Sequence, residues 1–427
     1  MATHSSRGNR RLAPFAALQY RNFRLLWLGQ LISVFGSQMR IVAINWQVYD
    51  VARQSGLIDP ALALGLIGLS RVIALVLIAP ISGVFADRVD RRRVLLVSAF
   101  AGLAASVVLA IVAWAEQPSL WVIYLMVTAA SIANAFDMPA RQAIIPTLVP
   151  PARLPNALSL NIIAWQMANV VGPSVAGILI ASVGVAPIYT IDAVSFLGVV
   201  LALLAMRNVP PAAALNDGRR PGLRDALVGL QFVLRHRMIA STMLLDFFAT
   251  LFGAATTLMP IFAIEVLKVG PVELGWLYSA SAVGAVSTAL LLSAVTIRRQ
   301  GLVLLATVIA FGVCIAIFGL SPWLWLSLLA LAGAGACDTV SMVIRGSMRQ
   351  LLTPNELRGR MTAVNMVFFA GGPQLGEFQA GVLASLITAP IAVGIGGMLC
   401  VASVVAIGWR VPELRAYDGP DQEGSHG

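Results

Sequence analysis

The chain alternates between long apolar runs and short polar connections. The clearest run is 94–115, which contains no charged side chain. About 20 apolar residues suffice for an α-helix to cross the roughly 30 Å hydrocarbon layer of a membrane. Because backbone groups in lipid must be hydrogen-bonded within their own segment, such runs are expected to be helical. The pattern predicts twelve spans, at 23–49, 62–86, 94–115, 119–139, 157–183, 186–206, 239–266, 273–296, 301–320, 322–344, 362–387 and 389–409.

Composition supports this pattern. The 427 residues are 59% hydrophobic and 11% charged, whereas an ordinary soluble domain is about 25% charged. The sequence therefore predicts an all-α, multi-pass membrane protein. Residues 1–22 contain basic side chains but no apolar core of a signal peptide, so we expect a retained tail.

Basic residues indicate the orientation. An even number of spans puts both termini on one side of the membrane, here called the terminus side. Arg53 and Lys268 fall on the opposite side and Arg40 and Arg71 lie within spans, while the other 25 of the 29 Lys and Arg residues fall on the terminus side. By the positive-inside rule the terminus side is cytoplasmic. The net charge of +10 is then a topology signal, and no nucleic-acid partner is expected.

A polar interruption divides the twelve spans into six and six. It covers 207–238 and separates an N-terminal half, 23–206, from a C-terminal half, 239–410, with 411–427 as a second tail. Its last part, GLRDALVGLQFVLRHR, has the apolar spacing of an amphipathic surface helix. The halves repeat at an offset of 204 residues, with matches that include Arg141/Arg345, Pro150/Pro354, Gly172/Gly376 and Gly177/Gly381. Such a parallel repeat predicts two pseudo-symmetric halves with a substrate site between them.

The stretch GVFADRVDRRRVLL, after span 2, resembles the signature loop of the major facilitator superfamily, G-x-x-x-D-R-x-G-R-R/K. Gly83, Asp87, Arg88, Arg91 and Arg92 match, and Asp90 stands where the superfamily usually has Gly. YRNFRLLWLGQLISVFGSQM, FDMPARQAIIPTLVPPARLPNA and TPNELRGR resemble one subgroup, the transmembrane secretion effectors, which contains siderophore exporters and macrolide efflux proteins. The resemblance covers about 18–410. It implies the fold of that superfamily and a bacterial inner-membrane location.

The same resemblance implies a conformational latch on the terminus side. By analogy Asp87 would pair with Arg141 or Arg88 and hold one state of the transporter. The residues expected in the latch are Gly83, Asp87, Arg88, Arg91, Arg141 and Arg345. The alternative is that these charges are solvated and only set the topology of insertion.

In span 5, ANVVGPSVAG resembles the antiporter motif G-x-x-x-G-P-x-x-G-G, with Ala at two of the Gly positions. Gly172, Pro173 and Gly177 would thin and bend the helix and allow close packing that seals a leak path. The alternative is ordinary packing of small residues. In the superfamily this motif accompanies export.

Arginines inside spans 1 and 2 suggest a polar cavity. At about 1.5 Å per residue, Arg40 and Arg71 lie in the outer halves of their spans. The residues expected to line the cavity are Gln30, Ser33, Ser37, Arg40, Gln47 and Arg71, the first five forming a stripe on one helical face. Two interpretations stay open. The arginines bind an acidic or catechol-bearing substrate, or they pair with Asp50, Asp192 or Glu377 and support the outer gate.

Carboxylates inside spans are costly and are usually functional. Asp246, close to the middle of span 7, is the first candidate for carrying a proton, followed by Asp338 and Glu377. For each of them the alternative is a paired structural carboxylate.

Taken together, these features predict a secondary active exporter, coupled to protons, that moves an amphipathic small molecule of the drug or siderophore class. An importer or a lysolipid flippase of the same fold is the alternative. A membrane scaffold or enzyme fits less well, because His4, His236 and His426 lie outside the spans and no phosphate-binding loop is present. We expect a monomer without metal or other cofactor.

Overall fold

A computed structural model describes residues 15–86, 90–207, 223–295 and 297–419. These residues are helical, without a β-strand among them. The helices are α1 (Arg21–Ser55), α2 (Pro60–Ala86), α3 (Arg91–Trp114), α4 (Leu120–Leu148), α5 (Leu154–Val183), α6 (Ala186–Ala205), α7 (Leu223–Arg235), α8 (Arg237–Phe252), α9 (Met259–Ile261), α10 (Pro271–Leu292), α11 (Gln300–Leu320), α12 (Leu324–Leu352), α13 (Arg358–Leu386), α14 (Ala389–Arg410) and α15 (Pro412–Arg415). Short 3₁₀ turns occur at Ala16–Gln19, Pro151–Arg153, Thr256–Leu258 and Asn355–Leu357.

The long helices occupy the positions of the predicted spans. Within the described ranges, ten are long and apolar enough to cross a membrane. Two further long helices, α2 and α13, stand where spans 2 and 11 are expected but are not among these ten. Helices α4 and α12 continue to Leu148 and Leu352, beyond the predicted ends at 139 and 344. The amphipathic segment forms α7, which packs against α8 and α13.

Span 7 is not the continuous helix that the hydrophobic pattern predicts. Helix α8 ends at Phe252 with Gly253 as its cap. The chain then passes through a 3₁₀ turn and α9 into a π-helical turn, Phe262–Val266. Gly253 leaves room for the ring of Phe311, since a Cβ there would lie 2.7 Å from its Cζ. Pro260 stands in the first turn of α9, where its missing N–H is tolerated.

The two halves share one packing scheme. In the first half α1 packs against α5 and α6, α3 against α4 and α6, and α2 against α4. In the second half α8 packs against α13 and α14, α11 against α12 and α14, and α10 against α12. With α8 and α10 to α14 as counterparts of α1 to α6, the same five pairings occur in each half. This is the parallel repeat that the offset predicts.

The halves meet through two equivalent helix pairs, α2 with α13 and α5 with α10. Glycines allow the backbones of the paired helices to approach closely. A Cβ at Gly65 would lie 2.9 Å from Cα of Gly381, and one at Gly275 would lie 3.1 Å from Cα of Ser174. In the chain's topology these positions lie near helix ends on the side opposite the termini. The described conformation is therefore closed on that side.

The outer surface of the bundle is apolar. Large exposed side chains such as Ile73, Leu329 and Val405 point away from the helix interfaces. Trp114, Trp121, Trp323, Trp325 and Trp409 are exposed near helix ends, where tryptophans of membrane proteins lie at the lipid headgroups. A lipid bilayer is the environment that this surface requires.

Candidate functional site

A polar cavity of about 410 Å³ lies between the two halves. The first half contributes residues of α1, α2 and α5, and the second contributes Thr256 and residues of α10, α12 and α13. Its polar lining consists of Gln38, Asn45, Arg71, Gln166, Asn169, Thr256, Tyr278, Ser281, Asp338 and Glu377. A cavity of this size and polarity at the interface of two repeats is where a transporter binds its substrate.

An ion pair crosses this cavity from one half to the other. Nη1 of Arg71, on α2, donates to both carboxylate oxygens of Glu377, on α13, at 3.2 and 2.9 Å. The side chains are 20% and 11% exposed. This is one of the pairings that the sequence left open for Arg71. Gly68 allows the approach, because a Cβ there would lie 2.8 Å from Cβ of Glu377.

Three further hydrogen bonds between described side chains also join the halves. Asn45 Nδ2 donates to the hydroxyl of Tyr278 at 2.7 Å, and the Tyr49 hydroxyl donates to Oε1 of Glu265 at 3.0 Å. The hydroxyls of Ser174 and Ser279 lie 2.8 Å apart. With the ion pair, these contacts form a closed polar boundary at the end of the cavity away from the termini.

A second charged cluster belongs to the C-terminal half alone. Nη2 of Arg345 lies 3.0 Å from Oδ1 of Asp246 and 3.5 Å from Oδ1 of Asp338. The side chains of Arg345 and Asp246 are 3% and 6% exposed, whereas that of Asp338 is 48% exposed and lines the cavity. Arg349 is close enough to interact with Asp246 and Arg345. The triad therefore connects a buried carboxylate to one that reaches the cavity.

The five residues of the predicted stripe on α1 lie against other parts of the first half and do not line this cavity. Nη1 of Arg40 contacts Oδ2 of Asp192 at 3.0 Å and the Ser106 hydroxyl at 3.0 Å. Ser37 also interacts with Asp192, and Gln47 accepts a hydrogen bond from Tyr189. Gln30 and Ser33 are buried.

Among the predicted cavity residues, Arg71 lines the described cavity, whereas Gln30, Ser33, Ser37, Arg40 and Gln47 are not among its lining residues. The physical reason is Gly36, where a Cβ would lie 2.8 Å from Oδ1 of Asp192. This glycine lets α6 cover that face of α1. The face with Gln38 and Asn45 is left toward the other half.

The latch residues are only partly visible. Asp87 and Arg88 lie outside the described residues, and Gly83 lies in α2. Arg91 donates from Nη1 to the carbonyl of Ala143 at 2.8 Å. Arg141 donates from Nε and Nη2 to its neighbour Asp137, both at 2.8 Å.

Arg345 does not have the position expected for a latch. Both of its carboxylate partners belong to its own half, and the residue is 2% exposed. Arg345 matches Arg141 in the repeat, but the positions that match Asp246 and Asp338 in the first half carry no charge. In this conformation Arg345 belongs to the buried triad.

The antiporter-type motif forms close contacts on both faces of α5. A Cβ at Gly172 would lie 2.8 Å from Cβ of Gln38 on α1, and one at Gly177 would lie 3.1 Å from Cα of Gly275 on α10. The carbonyl of Pro173 would lie 2.5 Å from a Cβ at Gly275. Gly177 and Pro173 thus contact the other half, and Pro173 also lines the cavity.

Sequence reasoning missed several cavity residues. Gln38 and Asn45 are seven residues apart on α1, and Gln166 and Asn169 are three apart on α5, so each pair shares a helical face. Carboxamides recurring at helical spacing in otherwise apolar spans were the signal that could have found them. Tyr278 carried no such signal.

The fold and this interfacial cavity define the class of the protein, a membrane transporter of the major facilitator superfamily and not an enzyme. The fold resembles that of a bacterial homologue of the human lysosomal transporter Spinster, with a TM-score of 0.71 at 16% identity, over 97% of this chain and 100% of that one. The sequence profile of the transmembrane secretion effector family matches residues 12–426. The chain belongs to that family.

Its curated relatives include enterobactin exporters. The enterobactin exporter EntS of Shigella boydii serotype 4 is 27% identical over 380 residues, which cover 87% of this chain and 86% of the relative. EntS of Citrobacter koseri is 26% identical over 408 residues, which cover 93% and 94%. The similarity therefore extends over nearly the whole of each protein.

Proposed function

We propose that the protein is a proton-coupled exporter that moves an amphipathic small molecule of the drug or siderophore class out of the cytoplasm. The observation that carries the proposal is the polar cavity between two repeated halves, with carboxylates at its wall. The similarity to enterobactin exporters favours export and includes siderophores in the substrate class.

Transport would proceed by rocking of the two halves. The described conformation is closed on the side opposite the termini by contacts of α2 with α13 and of α5 with α10. With both termini in the cytoplasm, as the basic residues indicate, this is the state that receives substrate from the cytoplasm. Export then requires these contacts to open and the terminus side to close.

The triad of Asp246, Arg345 and Asp338 is the proposed proton site. Two carboxylates share one guanidinium nitrogen, and the nearby Arg349 balances their charge when both are ionised. Ionisable groups inside a membrane protein mark proton pathways, so we assign proton binding in one of the two states to this triad. Asp338 exchanges that proton with cavity water, because its side chain is half exposed. Asp246 is buried and tunes the affinity through Arg345. Glu377 remains a third candidate, held by Arg71 in this state.

The test is uptake by inside-out vesicles energised with an imposed proton gradient. Fluorescent dyes, macrolides and catecholate siderophores are offered to vesicles that contain the wild type, Asp338→Asn or Asp246→Asn. We expect gradient-driven accumulation by the wild type that nigericin abolishes. Asp338→Asn should lose accumulation but retain exchange down a substrate gradient, since the cavity stays intact.

Glu116→Gln, in the exposed connection between α3 and α4, is the matched carboxylate control and should transport like the wild type. Full gradient-driven accumulation by Asp338→Asn and Asp246→Asn would remove the triad from proton coupling. Uptake by right-side-out vesicles alone would replace the exporter by an importer, and movement of lysolipids without the other compounds would identify a flippase.

A further inference from the structure

Arg71 holds Glu377 in an unusual way. Both hydrogen bonds to the carboxylate come from one nitrogen, Nη1. The planar guanidinium presents five N–H donors and binds a carboxylate best through two nitrogens at once. Nε and Nη2 of Arg71 make no bond to Glu377. Among the described residues that line the cavity, Arg71 is the one with a positive charge.

Its surroundings are suited to an anion. The hydroxyl of Tyr278 accepts a hydrogen bond from Asn45, so its own proton is left for an acceptor. Tyr278 is close enough to Arg71 and Glu377 to interact with both charges. A cation, in contrast, would meet carboxylates that already have guanidinium partners, Glu377 with Arg71 and Asp338 with Arg345.

We propose that Arg71 binds the acidic group of the substrate, a planar anion with two oxygens such as a carboxylate or an ionised catechol, in competition with Glu377. The inference rests on the proposed export function and names the chemistry of the substrate's recognised end. Tyr278 donates a further hydrogen bond to the same group.

This recognition also couples binding to the conformational change. Arg71 belongs to the first half and Glu377 to the second, 306 residues away, so their pair links the halves on the closed side. An anion that binds the guanidinium of Arg71 in place of Glu377 weakens this link. A ligand shifts a conformational equilibrium only by its differential affinity for the two states. Here the anion binds more tightly when the halves are apart, because Glu377 then no longer competes for Arg71.

The experiment is calorimetric titration of the purified full-length protein in lipid nanodiscs. The probes are benzoate and 2,3-dihydroxybenzoate, with tetraphenylphosphonium as the cationic comparison. We expect Glu377→Gln to raise the affinity for both anions roughly tenfold, a typical size for a coupling between groups, because the competitor has lost its charge. Arg71→Gln should lower it by a similar factor, and Arg71→Lys should fall between.

Arg40→Lys is the matched control, since Arg40 pairs with Asp192 inside the first half; its anion affinity should equal that of the wild type. A gain of affinity in Glu377→Gln cannot result from misfolding. The proposal is overturned if Glu377→Gln binds the anions no better than the wild type, if Arg71→Gln binds them equally well, or if the cation binds in their place.

A second measurement follows the link between the halves. Thr256→Cys lines the cavity and is introduced in a chain whose Cys314, Cys337 and Cys400 are replaced by alanine. In right-side-out vesicles, benzoate should increase labelling by an impermeant maleimide, and Glu377→Gln should show high labelling without it. Unchanged labelling in both cases would contradict the coupling.

Failure of this inference is distinct from failure of the export proposal. The titration measures anion binding and does not depend on transport. The vesicle assay measures transport and assumes no charge on the substrate. Transport of cationic dyes alone would refute the anion site and leave the exporter in place. Anion binding at Arg71 without uptake by inside-out vesicles would refute export.

Discussion

At the scale of single residues, the partner of each arginine decides its role. Arg40 pairs with Asp192 inside the first half, Arg345 with Asp246 and Asp338 inside the second, and Arg71 with Glu377 across the two. The first pair lies within one half, whereas the last links the two halves and, in the proposed rocking mechanism, breaks when they separate. The same arginine–carboxylate chemistry therefore gives a pair inside one half in one place and a pair between the halves in another.

Arg40 and Asp192 should therefore govern stability. The side chains are 12% and 0% exposed, and removal of one partner of a buried pair costs about 3–5 kcal/mol. We expect Arg40→Met to lower the unfolding temperature in detergent clearly, as measured by thermal unfolding. Arg40→Met combined with Asp192→Leu should recover part of the loss, since no buried charge remains. A single variant as stable as the wild type would disprove this assignment.

The structure accounts for Asp90, the residue at which the signature loop departs from its superfamily. Where glycine is usual, Asp90 caps α3, accepting from the backbone N–H of Arg92 at 2.9 Å. Its φ of −53° needs no glycine. Arg92 in turn donates to the carbonyls of Leu203 and Leu204 at the end of α6. The arginine-rich segment of the loop thus joins helix ends and does more than mark topology.

At the scale of helices, small residues control how closely the two halves approach. The equivalent crossings of α2 with α13 and of α5 with α10 both place glycines backbone to backbone. Interfaces in membranes depend on such close packing because lipid provides no hydrophobic drive for association. The same feature makes these crossings sensitive to one added methyl group.

Gly65→Ala should prevent full closure of the side opposite the termini. The new Cβ would lie 2.9 Å from Cα of Gly381 and 3.2 Å from the carbonyl oxygen of Phe378, both backbone atoms. Overpacking costs about 1–3 kcal/mol, so labelling of Thr256→Cys from that side should rise roughly fivefold or more. Transport should fall.

Gly198→Ala is the matched control, because a Cβ at Gly198 would meet no atom within 4 Å. Alanine favours a helix over glycine by about 1 kcal/mol, so a loss of transport in Gly65→Ala cannot come from a weakened helix. Wild-type labelling and transport in Gly65→Ala would show that the crossing does not control closure.

At the scale of the whole molecule, the excess of basic residues on the terminus side predicts the orientation in the membrane. Glu116 lies between α3 and α4 on the opposite side, and Glu356 lies between α12 and α13 on the terminus side; both are exposed.

In the chain without native cysteines, Glu116→Cys should react with an impermeant maleimide in intact cells. Glu356→Cys should react only after permeabilisation. The reverse pattern would place the termini outside the cell. The side that is closed in the described conformation would then be the cytoplasmic side.

The sequence alone determined the class of fold. Apolar runs of membrane-spanning length can satisfy their backbone only as helices, and the repeat of Arg, Pro and Gly positions reveals two similar halves. Most long helices begin close to their predicted positions. The interruption of span 7 was not predicted, because hydrophobicity stays high through Gly253 and Pro260 while the backbone changes course.

Only the tertiary structure decided which polar face of α1 meets the cavity and which arginine links the halves. The sequence shows that a face is polar, but not which neighbouring helix covers it; here Gly36 admits α6 to the predicted face. The pairing of Arg71 with Glu377, 306 residues apart, likewise follows from how two halves meet. Periodicity is local to one helix, whereas a binding site is built from the packing of several.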